Sequence, residues 1–214
     1  MVRRETGVTV IIAEHRWASV WHLADRRIQL SAGTSVEPAA TPELGEVGAR
    51  ASITPLVAPN GAGKTTWMRA FAGAHPSNVR LVPESPELLF SRSSVGDECA
   101  HNDRVTTSQP GTTQALARVL LGDVPMDAHP RDLSTGQRVA LACALQACAR
   151  PELLLLDEPT RGLDQAARAR LSHMLRKLSE MGTAVIFATH DFEFARAFEE
   201  STVLGGWPIK EANS

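Results

Sequence analysis

The stretch Ala58-Pro59-Asn60-Gly61-Ala62-Gly63-Lys64-Thr65-Thr66 carries the clearest chemistry in this chain of 214 residues. It is one residue away from the pattern GxxxxGK[S/T], with Ala58 at the first glycine position. Glycines let the backbone bend until several N–H groups point at one phosphate. Here Asn60, Gly61, Ala62 and Gly63 would supply those groups. The helix that follows adds the positive end of its dipole. Lys64 has the reach for the β- and γ-phosphates of a nucleotide, and the Thr65 hydroxyl suits Mg²⁺. Thr66 follows in the same first turn. If Ala58 needs a positive φ, the cost is on the order of 1 kcal/mol, which a working loop tolerates. The plain alternative is a glycine-rich turn before an ordinary helix.

Leu153-Leu154-Leu155-Leu156-Asp157-Glu158 matches that loop. Four apolar residues make a buried strand, and its C-terminal end is where α/β sheets bind ligands. Asp157 would meet the metal there. Glu158, one residue on, could orient or deprotonate an attacking water.

The elements that must position these groups alternate. Strands are expected at Ser52–Val57, Val79–Val82, Leu153–Leu156 and Ala184–Thr189. Helices are expected at Thr65–Ala72, Thr113–Leu121, from Ser134 to about Ala149, at Gln165–Glu180 and at Phe192–Glu199. Residues 83–132 are otherwise mixed. Such alternation implies a parallel α/β sheet. Upstream, Val8–Ala13 reads as a strand, Trp17–Ala24 as a helix and Ile28–Leu30 as a short strand. Residues 31–50 read as a linker.

An internal repeat joins the two ends of the chain. Gly7–His15 reads GVTVIIAEH and Gly182–His190 reads GTAVIFATH, aligned without a gap. Both enter an aromatic-bearing helix. The alternatives are a true repeat and the cheap likeness of two buried strands.

Composition bounds the function. Apolar residues make up 43% and charged residues 21%, as in soluble globular proteins. A net charge of −2 gives no basic footprint for nucleic acid. Apolar runs such as Ala140–Leu145 fall far short of the ~18 residues of a membrane span. Three cysteines without a CxxC pair support neither a disulfide framework nor a zinc site. Cys143 and Cys148 read as small buried residues of a helix. His101 and His129 lack partners at metal-ligand spacing. Trp17 and Trp21 read as one helix stripe, and Glu193, Glu199 and Glu200 as a solvated face.

With these motifs in hand, the chain resembles the ATP-binding cassette (ABC) ATPases. Leu133-Ser134-Thr135-Gly136-Gln137 is similar to their LSGGQ signature. Glu158-Pro159-Thr160-Arg161-Gly162-Leu163-Asp164 is similar to the passage from Walker B to the D-loop, and His190 to the switch histidine. The resemblance runs over roughly residues 52–206. It implies a P-loop NTPase fold: a RecA-like parallel sheet core, a helical subdomain at about 85–133, and an antiparallel β-subdomain reduced or missing. It implies ATP and Mg²⁺ as ligands, with Thr65, Asp157 and Glu84 at the metal and Glu158 and His190 in catalysis. Ser134, Gly136, Gln137 and Asp164 would face the ATP of a second cassette, paired head to tail. Val82-Pro83-Glu84-Ser85-Pro86-Glu87-Leu88-Leu89-Phe90 resembles the Q-loop of energy-coupling-factor (ECF) ATPases. Those power uptake of vitamins or of cobalt and nickel ions through a membrane T-component and a substrate-binding S-component. The expected place is cytoplasmic, peripheral on the inner face of the membrane, without nucleic acid as partner.

The departures are definite. Glu84 stands where the family has Gln, and a carboxylate cannot donate a hydrogen bond to water. The chain contains no Tyr, and no aromatic closely precedes the loop at Ala58. These favour a non-catalytic nucleotide-binding half as the rival, with a non-transport ABC ATPase as a second. The repeat then suggests a tandem origin: residues 1–33 the end of a preceding cassette, 34–51 a linker, 52–209 the cassette, and 210–214 a tail.

Overall fold

The computed structural model describes residues 52–57 and 64–198. The expectations for residues 8–13, 17–24, 28–30, the linker, Ala58–Gly63, Glu199 and Glu200 lie outside them. Within them the elements are β1 (Ile53–Val57), α1 (Lys64–Ala74), β2 (Val79–Val82), α2 (Val95–Val105), α3 (Thr112–Leu121), α4 (Thr135–Ala147), β3 (Leu153–Asp157), α5 (Gln165–Glu180), β4 (Ala184–Thr189) and α6 (Phe192–Arg196). Short 3₁₀ turns at Pro86–Leu89 and Pro130–Asp132 bracket the middle region.

The two unbroken apolar runs become the central strands. Every residue of β3 and β4 is buried. Continuous burial of this kind belongs to parallel strands covered on both faces. The four strands lie in the order β1-β4-β3-β2, all parallel. β1 and β2 are successive in the chain yet occupy opposite edges, with α1 spanning between them. Consequently the C-terminal ends of β1, β4 and β3 lie side by side, with Val57 opposite Thr189 and Asp157 opposite Ala188. The end of β1, the acidic pair and His190 therefore lie at one edge of the sheet.

Alternate side chains of each strand feed two cores. On one face Met68 and Phe71 of α1 pack on Leu56, Val79, Leu155 and Ile186. On the other, α4, α5 and α6 cover Leu154, Leu156, Val185 and Phe187. Phe187, Phe194 and Phe198 form a closed trio there, with ring centroids 5.1–5.4 Å apart and tilted or edge contacts. A third core joins α2 and α3 to α4 through Val95, Cys99, Ala117, Leu133, Leu141 and Leu145. α4 thus packs on both sides, which explains its run of Ala, Leu and Cys.

α2 is an element that the apolar pattern does not announce. Its buried positions are Val95, Glu98, Cys99 and Asp103, a helical face half made of carboxylates. Glu98 accepts from the backbone N–H groups of Ser91 and Arg92. Asp103 accepts from the N–H groups of Gly111 (2.6 Å) and Thr113 (2.8 Å) and from the Thr113 hydroxyl (2.5 Å). It thereby caps α3, whose own N-cap, Gly111, sits at φ 89° and has no side chain to do so.

The cysteines are buried and free. Burial, then the nearby charges of Asp103 and Glu98, push the Cys99 thiol up to about 11. Burial alone raises Cys143. Cys148 differs from the apolar expectation: its sulfur lies 2.9 Å from the Thr113 hydroxyl oxygen, in a polar cluster with Asp103.

Burial acts to raise the Asp103 pKa, but hydrogen bonds from Thr113 and Gly111 outweigh it and hold the carboxyl below its ordinary value. Replacing Asp103 by Ala should cost about 2–3 kcal/mol, since it strands buried donors that bonded a charge. Urea unfolding measures this. A depressed carboxyl gives stability that is full above its unfolded value and is lost as pH falls through its folded value. The gap between wild type and Asp103→Asn should therefore shrink as pH falls below about 4.

Candidate nucleotide site

Two buried groups, Lys64 and Glu158, and the exposed imidazole of His190 meet at the strand ends. Lys64, the first residue of α1, is only 7% exposed. Its Nζ lies 3.2 Å from Glu158 Oε1. Glu158 Oε2 lies 2.8 Å from His190 Nδ1 and 3.3 Å from the His190 N–H. An ionised carboxylate can only accept, so Nδ1 carries the hydrogen and Nε2 is left for another partner. The Lys64 contact is ionic rather than an aligned hydrogen bond, because no hydrogen bond reaches Glu158 Oε1 among the described residues. A carboxylate 8% exposed would be costly to bury alone, and here it faces two donors.

The backbone aims Glu158. It leaves β3 at φ 47°, a left-handed conformation rare for a residue with a side chain. That costs roughly 1–2 kcal/mol. The turn is held by its own hydrogen bonds. Glu158 N–H donates to Ala188 O (2.8 Å), Arg161 N–H to Glu158 O (3.1 Å) and Leu163 N–H to Thr160 O (3.2 Å). Beneath it the hydroxyls of Thr160 and Thr189 meet at 2.9 Å, and the Asp191 N–H donates to Thr189 Oγ1 at 3.0 Å. Sequence reasoning gives these threonines no role. The one available signal is a hydroxyl residue ending a strand just before the histidine.

Asp157 is 3% exposed, and among the described residues its Oδ1 has no hydrogen-bond partner. An orphaned carboxylate oxygen at this edge fits a divalent cation. Thr65 is half-buried and Thr66 exposed in the first turn of α1. Asn60, Gly61, Ala62 and Gly63 lie outside the described residues. Glu84 is not gathered into the Lys64–Glu158–His190 group; its carboxylate pairs with the Arg161 guanidinium.

The Ser134 stretch forms a separate surface. Ser134 caps α4: its Oγ accepts from the Gln137 N–H at 3.3 Å, and Gln137 Oε1 accepts from the Ser134 N–H at 2.9 Å. This is a reciprocal capping box. A side chain added at Gly136 would meet Ala167 Cβ at 3.7 Å and Leu163 Cδ2 at 3.8 Å, both ordinary contacts. Asp164 caps α5 by accepting from the Ala167 N–H at 2.7 Å. A groove of about 140 Å³ borders Ser134, Gly136, Leu163 and Leu171, and Lys64 and Glu158 are not among its walls.

His101 approaches Arg92, and His129 Nδ1 accepts from the Arg131 N–H at 3.0 Å. No group of three metal-binding side chains occurs among the described residues. No helix there is long and apolar enough to cross a membrane.

A parallel sheet whose strand ends gather the first lysine of a helix, an acidic pair and a histidine, together with the sequence pattern before that lysine, defines a P-loop nucleotide-binding protein. Comparison with known proteins narrows the class. Residues 127–195 match the family described as "AAA domain, putative AbiEii toxin, Type IV TA system". A Streptomyces coelicolor protein named "Putative ABC transporter ATP-binding protein" is 42% identical over 209 residues, taking in 87% of this chain and 36% of the relative. This chain therefore spans about a third of that relative's length. Two solved structures share the fold. One is titled an ATP-binding subunit of an ABC transporter (TM-score 0.57, 18% identity, covering 70% of this chain and 72% of that one). The other is CbiO1 of Clostridium perfringens, described as part of the ABC transporter complex cbiONQ (TM-score 0.56, 22% identity, covering 70% and 71%). The chain is thus similar in sequence to a protein named as an ABC transporter ATP-binding protein, and it shares its fold with ABC ATPase subunits.

Replacing Ser134 by Ala removes an N-cap and half of the capping box. It should destabilise the chain by about 1 kcal/mol. Urea unfolding beside far-ultraviolet dichroism would read it.

Proposed function

We propose that this chain is the ATP-hydrolysing cassette of an ABC transporter. The observation that carries the reading is the contact of the buried Glu158 carboxylate with both Lys64 and His190. Thr65 and Asp157 would hold Mg²⁺, with Glu84 as a helper; the bound ion neutralises phosphate charge. The N–H groups of Asn60, Gly61, Ala62 and Gly63 and the Lys64 ammonium bind the phosphate oxygens, with Thr66 beside them. When phosphate arrives, Lys64 exchanges Glu158 Oε1 for phosphate oxygens. That leaves Oε1 to accept a proton from water as the water oxygen bonds to the γ-phosphorus and the bond to ADP breaks. Such a base contributes on the order of 10²- to 10⁴-fold. His190 keeps Oε2 oriented through Nδ1–H, and only an Nε2 that also carries a hydrogen would donate to the γ-phosphate.

Ser134, Gly136, Gln137 and Asp164 would face the ATP of a second cassette, because α4 opens with a helix N-terminus suited to anions. Membrane partners of the T-component and S-component kind fit an ECF-type importer of a vitamin or of cobalt or nickel ions. The Q-loop-like Val82–Phe90 stretch supports this, as does the shared fold with CbiO1. Such a cassette would sit on the inner face of the membrane.

The second cassette would belong to the same polypeptide. The likeness of Gly7–His15 to Gly182–His190 supports this reading. So does a match taking in 87% of the chain, more than residues 52–198 can supply, against a relative nearly three times as long as the match. Residues 1–33 would close a first cassette, 34–51 link, and 52–209 form the second, with a tail at 210–214.

Glu158→Gln should bind ATP and lose phosphate release by at least 10²-fold. Unchanged turnover in that variant would refute the base assignment, and turnover absent from wild type as well would leave a nucleotide-binding half. For the tandem origin, an immunoblot of the native protein with antibody to residues near 190 should show a band well above 23 kDa. A single band at 23 kDa would sink it.

A further inference from the structure

Glu84 and Arg161 form an ion pair that the mechanism above leaves unused. Glu84 lies two residues beyond β2, whose last residue Val82 pairs with Leu156 of β3. It thus leaves the sheet at the same edge as Asp157 and Glu158. Arg161 belongs to the turn that begins at Glu158. Its N–H donates to Glu158 O at 3.1 Å, and Gly162 takes φ 71° just after it. The Thr160–Thr189 hydroxyl contact anchors that turn to β4. Arg161 therefore reaches toward Glu84 from a fixed base.

Stability does not account for the pair. The Arg161 side chain is 69% exposed and that of Glu84 38%. Ion pairs in such settings contribute little, often nothing measurable. What an Arg fixes well is the direction of a carboxylate, since its donors are rigid and planar. Arg161 occupies Glu84 Oε1 and leaves Oε2 as the oxygen with capacity for a metal or a metal-bound water.

We propose that Arg161 is a positioning residue for Glu84, orienting its carboxylate at the strand edge toward the nucleotide-bound cation. The inference rests on the reading of Glu84 as a helper at that cation. It also says how a carboxylate can work where the family has an amide: the charge introduced at Glu84 is matched by Arg161. Metal ligands are held in this way by outer partners, whose loss typically weakens metal binding 10- to 100-fold.

The test is Mn²⁺ binding to the full chain with the non-hydrolysable analogue AMPPNP, followed by electron paramagnetic resonance. Glu84→Gln and Arg161→Gln should each weaken Mn²⁺ about tenfold. The double variant should bind no more weakly than either single, and Arg161→Lys, which keeps the charge without the planar donors, should recover only part of the loss. Melting temperature and metal-free AMPPNP affinity of the Arg161 variants should match wild type, separating positioning from unfolding. Wild-type Mn²⁺ affinity in Arg161→Gln beside a weakened Glu84→Gln overturns the inference while sparing Glu84 as a helper. So does a double variant whose loss is the product of the two singles. Wild-type affinity in Glu84→Gln itself removes the metal reading of Glu84, and the inference with it.

Discussion

The structure is organised around one buried carboxylate. Glu158 is 8% exposed, carries a charge, and sits at φ 47° at the end of a strand buried on both faces. Such a group persists only where its surroundings supply donors and over-determine its backbone. Lys64 comes from the helix after β1, and His190 from the end of β4. Neither is near Glu158 in the chain. The donors are therefore a product of sheet order, and no local rearrangement of residues 157–163 could replace them.

That dependence explains the topology. β3 must lie beside β4 for Glu158 to meet His190, and β4 lies beside β1, the strand that precedes Lys64. β2, though next after β1 in sequence, is displaced to the far edge. The displacement requires α1 to cross one face of the sheet and the α2–α3–α4 region to return on the other. α4 then has to satisfy two cores at once. Its small side chains allow the close approach, and its polar first turn is stabilised by its own capping box rather than by the core.

Much of this was legible in the sequence. β2, β4 and α5 fall where the apolar periodicity places them, because period and burial agree there. The helix expected after Ser134 runs to about Ala149 by pattern but stops at Ala147, and Arg150 takes a left-handed φ of 51°. α2 escaped because two of its four buried residues are acids, Glu98 and Asp103, whose partners are backbone N–H groups that no residue pattern displays. In the site, residue types pointed to Lys64, Asp157, Glu158 and His190, and three of these side chains are in direct contact, with Asp157 beside them on β3. The pairing of Glu84 with Arg161 was not legible, since nothing in the sequence ties the two residues together. Only the parallel register of β2 with β3 puts them at one edge.

The turn from Glu158 to Asp164 carries the deeper consequence. At its start is the strained backbone that aims the carboxylate, and at its end the cap of α5. Near that end Leu163 and Ala167 pack within 4 Å of where a side chain on Gly136 would begin. The group that contacts Lys64 and the helix N-terminus at Ser134 are thus joined by a single short, hydrogen-bonded segment. Hydroxyls pin it from below, and it is glycine-permissive only at Gly162, with φ 71°. A segment so constrained cannot absorb a displacement at one end by bending in the middle. The Glu158 carboxylate and the surface around Gly136 are therefore held at a fixed separation through Leu163.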